Sequence, residues 1–173
     1  VWISRTLLLM MLAAPVSLSP AYKLSFQGLG PLYVGMPEAR IAGLVSDELE
    51  DREGSSEGCR AWRFVTTGVS SPLAGLTLGV KQGRLVRIEI DTPEWQTVSG
   101  ARVRMPEAAL RRIYGKRLRE EIHPVDATGR LLVLPGRDAG VKHLALVFES
   151  DGDQITRMRA GLAADLALVD ECR

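Results

Sequence analysis

The tetrapeptide Met-Pro-Glu-Ala occurs at residues 36–39 and again at 105–108, 69 positions further on. A repeat at a fixed period constrains an architecture more than any single motif, provided that it extends beyond the motif itself. Shifted by 69 positions, Ile41 falls on Leu110, Leu44 on Ile113, Trp62 on Leu131 and Phe64 on Val133. Leu78 falls on Val147, Gly83 on Gly152 and Val86 on Ile155. Apolar positions meet apolar positions without a gap, so the chain reads as one unit copied once.

Each copy has a readable local structure. Pro37 and Pro106 stand where a helix begins, because proline's missing N–H is no loss in a first helical turn. Glu38 and Glu107 follow, placing an acid near the positive end of the helix dipole. Ile41, Leu44 and Val45 then recur at helical spacing, as do Leu110, Ile113 and Tyr114, and Gly115 caps or interrupts the second helix. A variable loop comes next, acidic in the first copy over residues 46–58. Three strand-like runs close each copy: CRAWRFV, AGLTLGV and LVRIEID, then GRLLVL, VKHLALVFE and QITRMR. Glycine-containing turns separate them, as in hairpins. The expected fold class is therefore α+β: two tandem helix-plus-three-strand repeats with an antiparallel sheet and the helices on one face. Residues 22–91 form the first unit, and 92–173 the second with a C-terminal segment that adds a strand or short helix.

The first 21 residues read as a leader. Arg5 precedes the apolar run TLLLMMLAAPVSL, and small residues follow at 19–21. This is the layout of a secretory signal peptide, and the run is shorter than the roughly 20 residues that cross a bilayer. An anchor that stays attached is the alternative. The expected address is periplasmic or secreted, with no membrane span in the mature chain. Oxidising conditions then favour a Cys59–Cys172 disulfide over two separate buried thiols. Removing Arg5 with the leader leaves 21 bases against 21 acids. That balance gives no broad steering toward nucleic acid, and the scarce aromatics give no stacking platform for single strands.

The start of the repeat resembles a family pattern. GMPEA at residues 35–39, with glycine before Met, an acid two residues later, one short helix and then a meander, resembles small periplasmic modules; RMPEA at 104–108 departs, with arginine for glycine. The chain is similar to the tandem repeats of secreted beta-lactamase-inhibitor-like proteins, themselves similar in fold to outer-membrane assembly lipoproteins of the SmpA/OmlA type. The resemblance spans roughly residues 29–160 and implies a two-unit antiparallel sheet with a binding or scaffold role rather than catalysis. The lipidated relatives carry an N-terminal cysteine that this chain lacks.

Candidate chemistry is sparse. His123 and His143 lie 20 positions apart, far from the tight four-ligand spacing of a zinc site. The acids Glu149, Asp151 and Asp153 alternate but lack the length and distal glutamate of an EF-hand loop, so they read as a turn. The serines of TGVSSPLAG do not have nucleophile-elbow spacing. The pair Ser99-Gly100 resembles part of a motif of secreted lysozyme inhibitors, without its tyrosine. Glu38 and Glu107 are accounted for by their place in a helix. No metal or cofactor is implied, and a hydrolase built from scattered carboxylates ranks last.

If helices cover one sheet face, the other is open to a partner. Period-two alternation sends Trp62, Phe64, Val86, Ile88, Ile90, Leu144, Leu146 and Phe148 inward. The outward set is then Arg63, Arg87, Glu89 and His143, joined by Arg157 and Arg159 where Thr156 and Met158 turn inward. Such a basic face suits an acidic protein loop or an anionic envelope polymer; an ordinary solvated face is the alternative. Trp95, between the units, is either an interface anchor or a plug in the seam. A second basic group (Arg102, Arg104, Arg111, Arg112, Lys116, Arg117 and Arg119) reads as the solvent side of the second helix. The function expected is a non-enzymatic binding protein for a protein or cell-envelope component, with a structural envelope module as the alternative.

Overall fold

The computed structural model describes residues 17–45, 48–51, 58–66, 71–124, 126 and 128–166. Three two-residue strands come first: β1 (Leu24–Ser25), β2 (Gly28–Leu29) and β3 (Leu32–Tyr33), paired in that order as a small sheet. Helix α1 (Glu38–Leu44) leads into β4 (Leu49–Asp51), β5 (Cys59–Phe64), β6 (Leu76–Lys81) and β7 (Arg84–Ile90). Helix α2 (Glu107–Tyr114) leads into β8 (Arg119–Ile122), β9 (Arg130–Pro135), β10 (Leu144–Ser150) and β11 (Ile155–Leu162), and α3 (Ala163–Leu166) follows. The eight later strands form one antiparallel sheet in the order β4-β5-β6-β7-β11-β10-β9-β8.

This overturns the expected two helix-plus-three-strand repeats. The protein is mostly antiparallel sheet, with a separate three-stranded sheet and an eight-stranded one. β4 and β8 escape the sequence pattern for a physical reason: both are sheet edges, and edges need little apolar character. β8 is exposed along its whole length, and β4 buries none of its residues fully. The helices do not share one face either. Ile41 of α1 and Leu110 and Tyr114 of α2 join the main core, whereas Leu166 of α3 packs with Leu131, Ala145 and Val147 on the opposite side. Ile113, placed on the apolar stripe, is 38% exposed.

The 69-residue correspondence also needs a shift within the sheet. One cross-strand row runs Asp51–Trp62–Leu78–Ile88, and a like row runs Glu120–Leu132–Phe148–Met158. From Asp51 to Trp62 is 11 positions, but from Glu120 to Leu132 is 12, so the second segment is one residue longer there. Trp62 therefore answers to Leu132 rather than Leu131, and Leu78 to Phe148 rather than Val147. A one-residue slip in a strand sends every side chain to the other face. Leu132 and Phe148 accordingly lie in the main core, and Leu131 and Val147 on the far side.

The two Met-Pro-Glu-Ala segments make the same backbone contacts. Gly35 N–H donates to Leu85 O and Leu85 N–H to Met36 O; Arg104 N–H donates to Ile155 O and Ile155 N–H to Met105 O. Gly35 has φ 93° and Arg104 φ 64°, so arginine holds a left-handed position there. In the turn before β11, the Asp151 carboxylate accepts the N–H groups of Asp153 and Gln154, which accounts for an acid at 151.

The main core lies between the sheet, α1, α2 and the N-terminal strands, and includes Leu24, Leu29, Leu32, Ile88, Phe148 and Trp95. Trp95 is fully buried, so it is the plug and not an exposed anchor. Tyr114 tilts against Phe148 at 5.4 Å and shares a 2.9 Å hydrogen bond with Thr97. Leu18, assigned above to the leader, is 6% exposed and belongs to this core; residues 1–16 lie outside the described residues. Among the described residues no helix is long and apolar enough to cross a membrane.

Candidate functional site on the sheet face

The sheet face opposite α1 and α2 carries a concentrated set of charges. Alternation along β7 sends Arg87 and Glu89 to this face while Ile88 and Ile90 enter the core. β11 does the same with Arg157 and Arg159 around Met158, and β10 adds Glu149 beside Phe148. Because β7 and β11 pair at the centre of the sheet, with Arg159 opposite Glu89, the five side chains converge. Arg87 bridges Glu89 at 2.7 Å, and Arg157 lies 3.4 Å from Glu149 and 3.9 Å from Glu89. Arg159 joins both carboxylates, with its Nε 3.7 Å from Glu89, and its Nη1 donates to Leu166 O at 3.1 Å. His123 Nε2 stands 3.9 Å from Glu149 Oε1, while its Nδ1 accepts the Asp126 N–H.

The centre of the face expected to be open is covered. Arg87, Glu89, Glu149 and Arg159 are buried, and Arg159 is wholly enclosed. α3 packs against β7, β10 and β11 on this side, and Lys81 fastens it through a 3.0 Å bridge to Asp165. Arg87 is accommodated by Gly79 across the β6–β7 pair, where an added Cβ would come within 3.3 Å of the arginine side chain. Arg157 and Arg63 retain partial exposure. Arg63 stands across from Glu50 on the edge strand and from Thr77 on the inner side. His143 is exposed at the head of β10, where its carbonyl accepts the Ala163 N–H, and it has no place in the ion network.

Two network members, Glu149 and His123, are weighed in the sequence only as metal ligands and not for the sheet face; Glu149, read there as part of a turn, lies within β10. Glu149 was legible: it alternates with Phe148, so a core Phe148 puts it on the charged face. His123 follows an edge strand without an apolar pattern and offered no such signal. Cys59 begins β5, buried on the same face as Ala61. No cysteine among the described residues is free; Cys172 lies outside them. Nor do the described residues include a group of three or more His, Cys, Asp or Glu side chains placed to hold a metal ion.

Glu107 and Glu38 reach beyond their helices. Glu107 accepts a 2.6 Å hydrogen bond from Ser150, pairs with Arg111 at 2.7 Å and meets Arg130 at 3.3 Å. Burial is the largest single influence on its carboxyl and pushes the pKa up. The hydrogen bonds from Ser150 and Arg111, with the charges of Arg111 and Arg130, together outweigh it and hold the group below its ordinary 4.5. Arg111 is held above its usual value by its hydrogen bonds to Glu120 and Glu107. Glu38 accepts the Trp62 indole N–H at 2.9 Å and meets Arg60 at 3.4 Å. A cleft of about 270 Å³ opens beside it, lined by Glu38, Ile41, Ala42, Glu48, Leu49 and Trp62.

Together these features define an antiparallel-sheet protein with two helices on its core side and a buried ion network on the other. No family model and no curated protein matches the chain. Among solved structures it is similar to the crystal structure of the uncharacterized protein yfeY from Escherichia coli. The two share 15% identity at a TM-score of 0.52, over 80% of this chain and 99% of that one. A likeness at this level of identity concerns the fold alone.

Proposed function

We propose that this chain is a non-enzymatic periplasmic or secreted binding protein that takes an acidic protein surface or an anionic envelope component on its charged sheet face. The supporting observation is the composition of the central network, where three guanidinium groups face two carboxylates. Charge withdrawn from water is costly unless it is matched. An anion docked beside Arg157, the arginine of the network with partial exposure, and reaching toward Arg63 on the same face, would balance the excess. The signal-peptide-like leader supports the address, and a Cys59–Cys172 disulfide would suit it. Affinity capture from periplasm and culture fluid tests this, comparing wild type with Arg63→Glu and Arg157→Gln. Loss of the same partner in both variants is expected, with unchanged folding by circular dichroism. A partner held equally by all three proteins would refute the sheet-face site.

The burial of Arg87, Glu89 and Arg159 favours a second reading, a structural envelope module. There the network sets the pairing of β7 with β11 and no ligand is involved. Wild-type capture that yields no specific partner would favour it.

A further inference from the structure

The cleft beside α1 has a counterpart in α2 that shows what fits it. Each helix opens on its glutamate, Glu38 or Glu107, and each glutamate meets an arginine of the second strand after its helix: Arg60 of β5 at 3.4 Å and Arg130 of β9 at 3.3 Å. One turn further the two helices differ. In α2 the residue four positions on is Arg111, whose guanidinium bridges Glu107 and Glu120, each at 2.7 Å. In α1 that position is Ala42, an exposed alanine on the wall of the cleft. The wall otherwise consists of Ile41, Leu49 and the half-buried Trp62 indole, with Glu38 and Glu48 supplying negative charge.

We propose that this cleft receives an arginine side chain from a partner polypeptide, standing where Arg111 stands in α2. The chemistry matches at each point. A guanidinium packs its plane on an aromatic face while its N–H fork engages carboxylates. The Trp62 N–H bond to Glu38 fixes the indole in advance, so little side-chain freedom is lost on binding. At about 270 Å³ the cleft is smaller than the roughly 300–1,000 Å³ typical of small-molecule pockets, which suits a single side chain. The competing arginine, Arg60, has a side chain 55% exposed, and a surface pair of that kind is easily displaced. This inference is independent of the sheet-face reading: along β5, Trp62 and Arg63 project from opposite sides.

The test titrates the full chain with the peptide acetyl-Gly-Arg-Gly-amide, and separately with its norleucine analogue. The indole N–H resonance of Trp62 is followed by NMR and assigned with Trp62→Phe. A saturable shift with the arginine peptide is expected, at least tenfold weaker with norleucine. Ala42→Arg, which supplies the missing side chain from the helix itself, is expected to abolish the response. Glu48→Gln, remote from the Trp62 hydrogen bond, is expected to weaken it about threefold. Equal saturation by the norleucine peptide, or wild-type binding by Ala42→Arg, would overturn the proposal.

Discussion

Arg104 occupies a backbone position that suits glycine, as Gly35 shows at the corresponding place. A left-handed non-glycine residue costs roughly 1–2 kcal/mol, and glycine's greater freedom when unfolded offsets part of the gain. Arg104→Gly is therefore expected to stabilise the fold by about 0.5–1 kcal/mol, measured by urea denaturation. Glu107 sets a pH dependence. Its folded pKa lies below the ordinary 4.5, so its contribution is fully present above that value and is lost as pH falls through the folded pKa. Wild type and Glu107→Gln should differ most near neutrality, and their denaturation midpoints should converge in acid. At this scale the sequence was informative about type and blind to reach. The place of Glu107 in a first helical turn was readable from the proline before it. Its bonds to Arg130 and Ser150 were not, because they depend on how α2 lies across β9 and β10.

Among the elements, the central β7–β11 pair carries the greatest electrostatic load. Removing one partner of a buried ion pair typically costs about 3–5 kcal/mol, because the other is left uncompensated. Glu149→Gln should fall in that range by chemical denaturation. Replacing Glu149 and Arg159 together by leucine and methionine should cost clearly less, since neither charge is then stranded. Near-equal losses would show that shape, and not charge pairing, dominates the seam. Strands with one apolar face were legible from alternation, as in β5, β6 and β7. β4 and β8 were hidden by their edge positions, and β1 to β3 by being two residues long. The added residue between β8 and β9 could not be seen either, because apolar residues populate both faces of the second half. Leu131 and Leu132 each gave an acceptable match, and only strand pairing distinguishes them.

For the molecule as a whole, the covalent state matters most. A Cys59–Cys172 bridge would close a loop of about 113 residues, to which chain entropy assigns about 4–5 kcal/mol as an upper figure. Intact mass without reductant should lie two hydrogens below the thiol form, with a midpoint that falls on reduction; a chain carrying two free thiols would remove the bridge. The sheet also places sequence order and spatial order in opposition. β7 and β11 are central neighbours, yet α2 and three further strands, β8 to β10, lie between them in the sequence. As the polypeptide is made, β4 to β7 can zip together early. The outer edge of β7 then stays unpaired, with Arg87 and Glu89 lacking their partners on β11, until β8 to β11 have emerged. Long-range pairings of this kind are slow to form and leave sticky edges meanwhile. The interval in which this protein is vulnerable to aggregation or proteolysis is set by the arrival of β11.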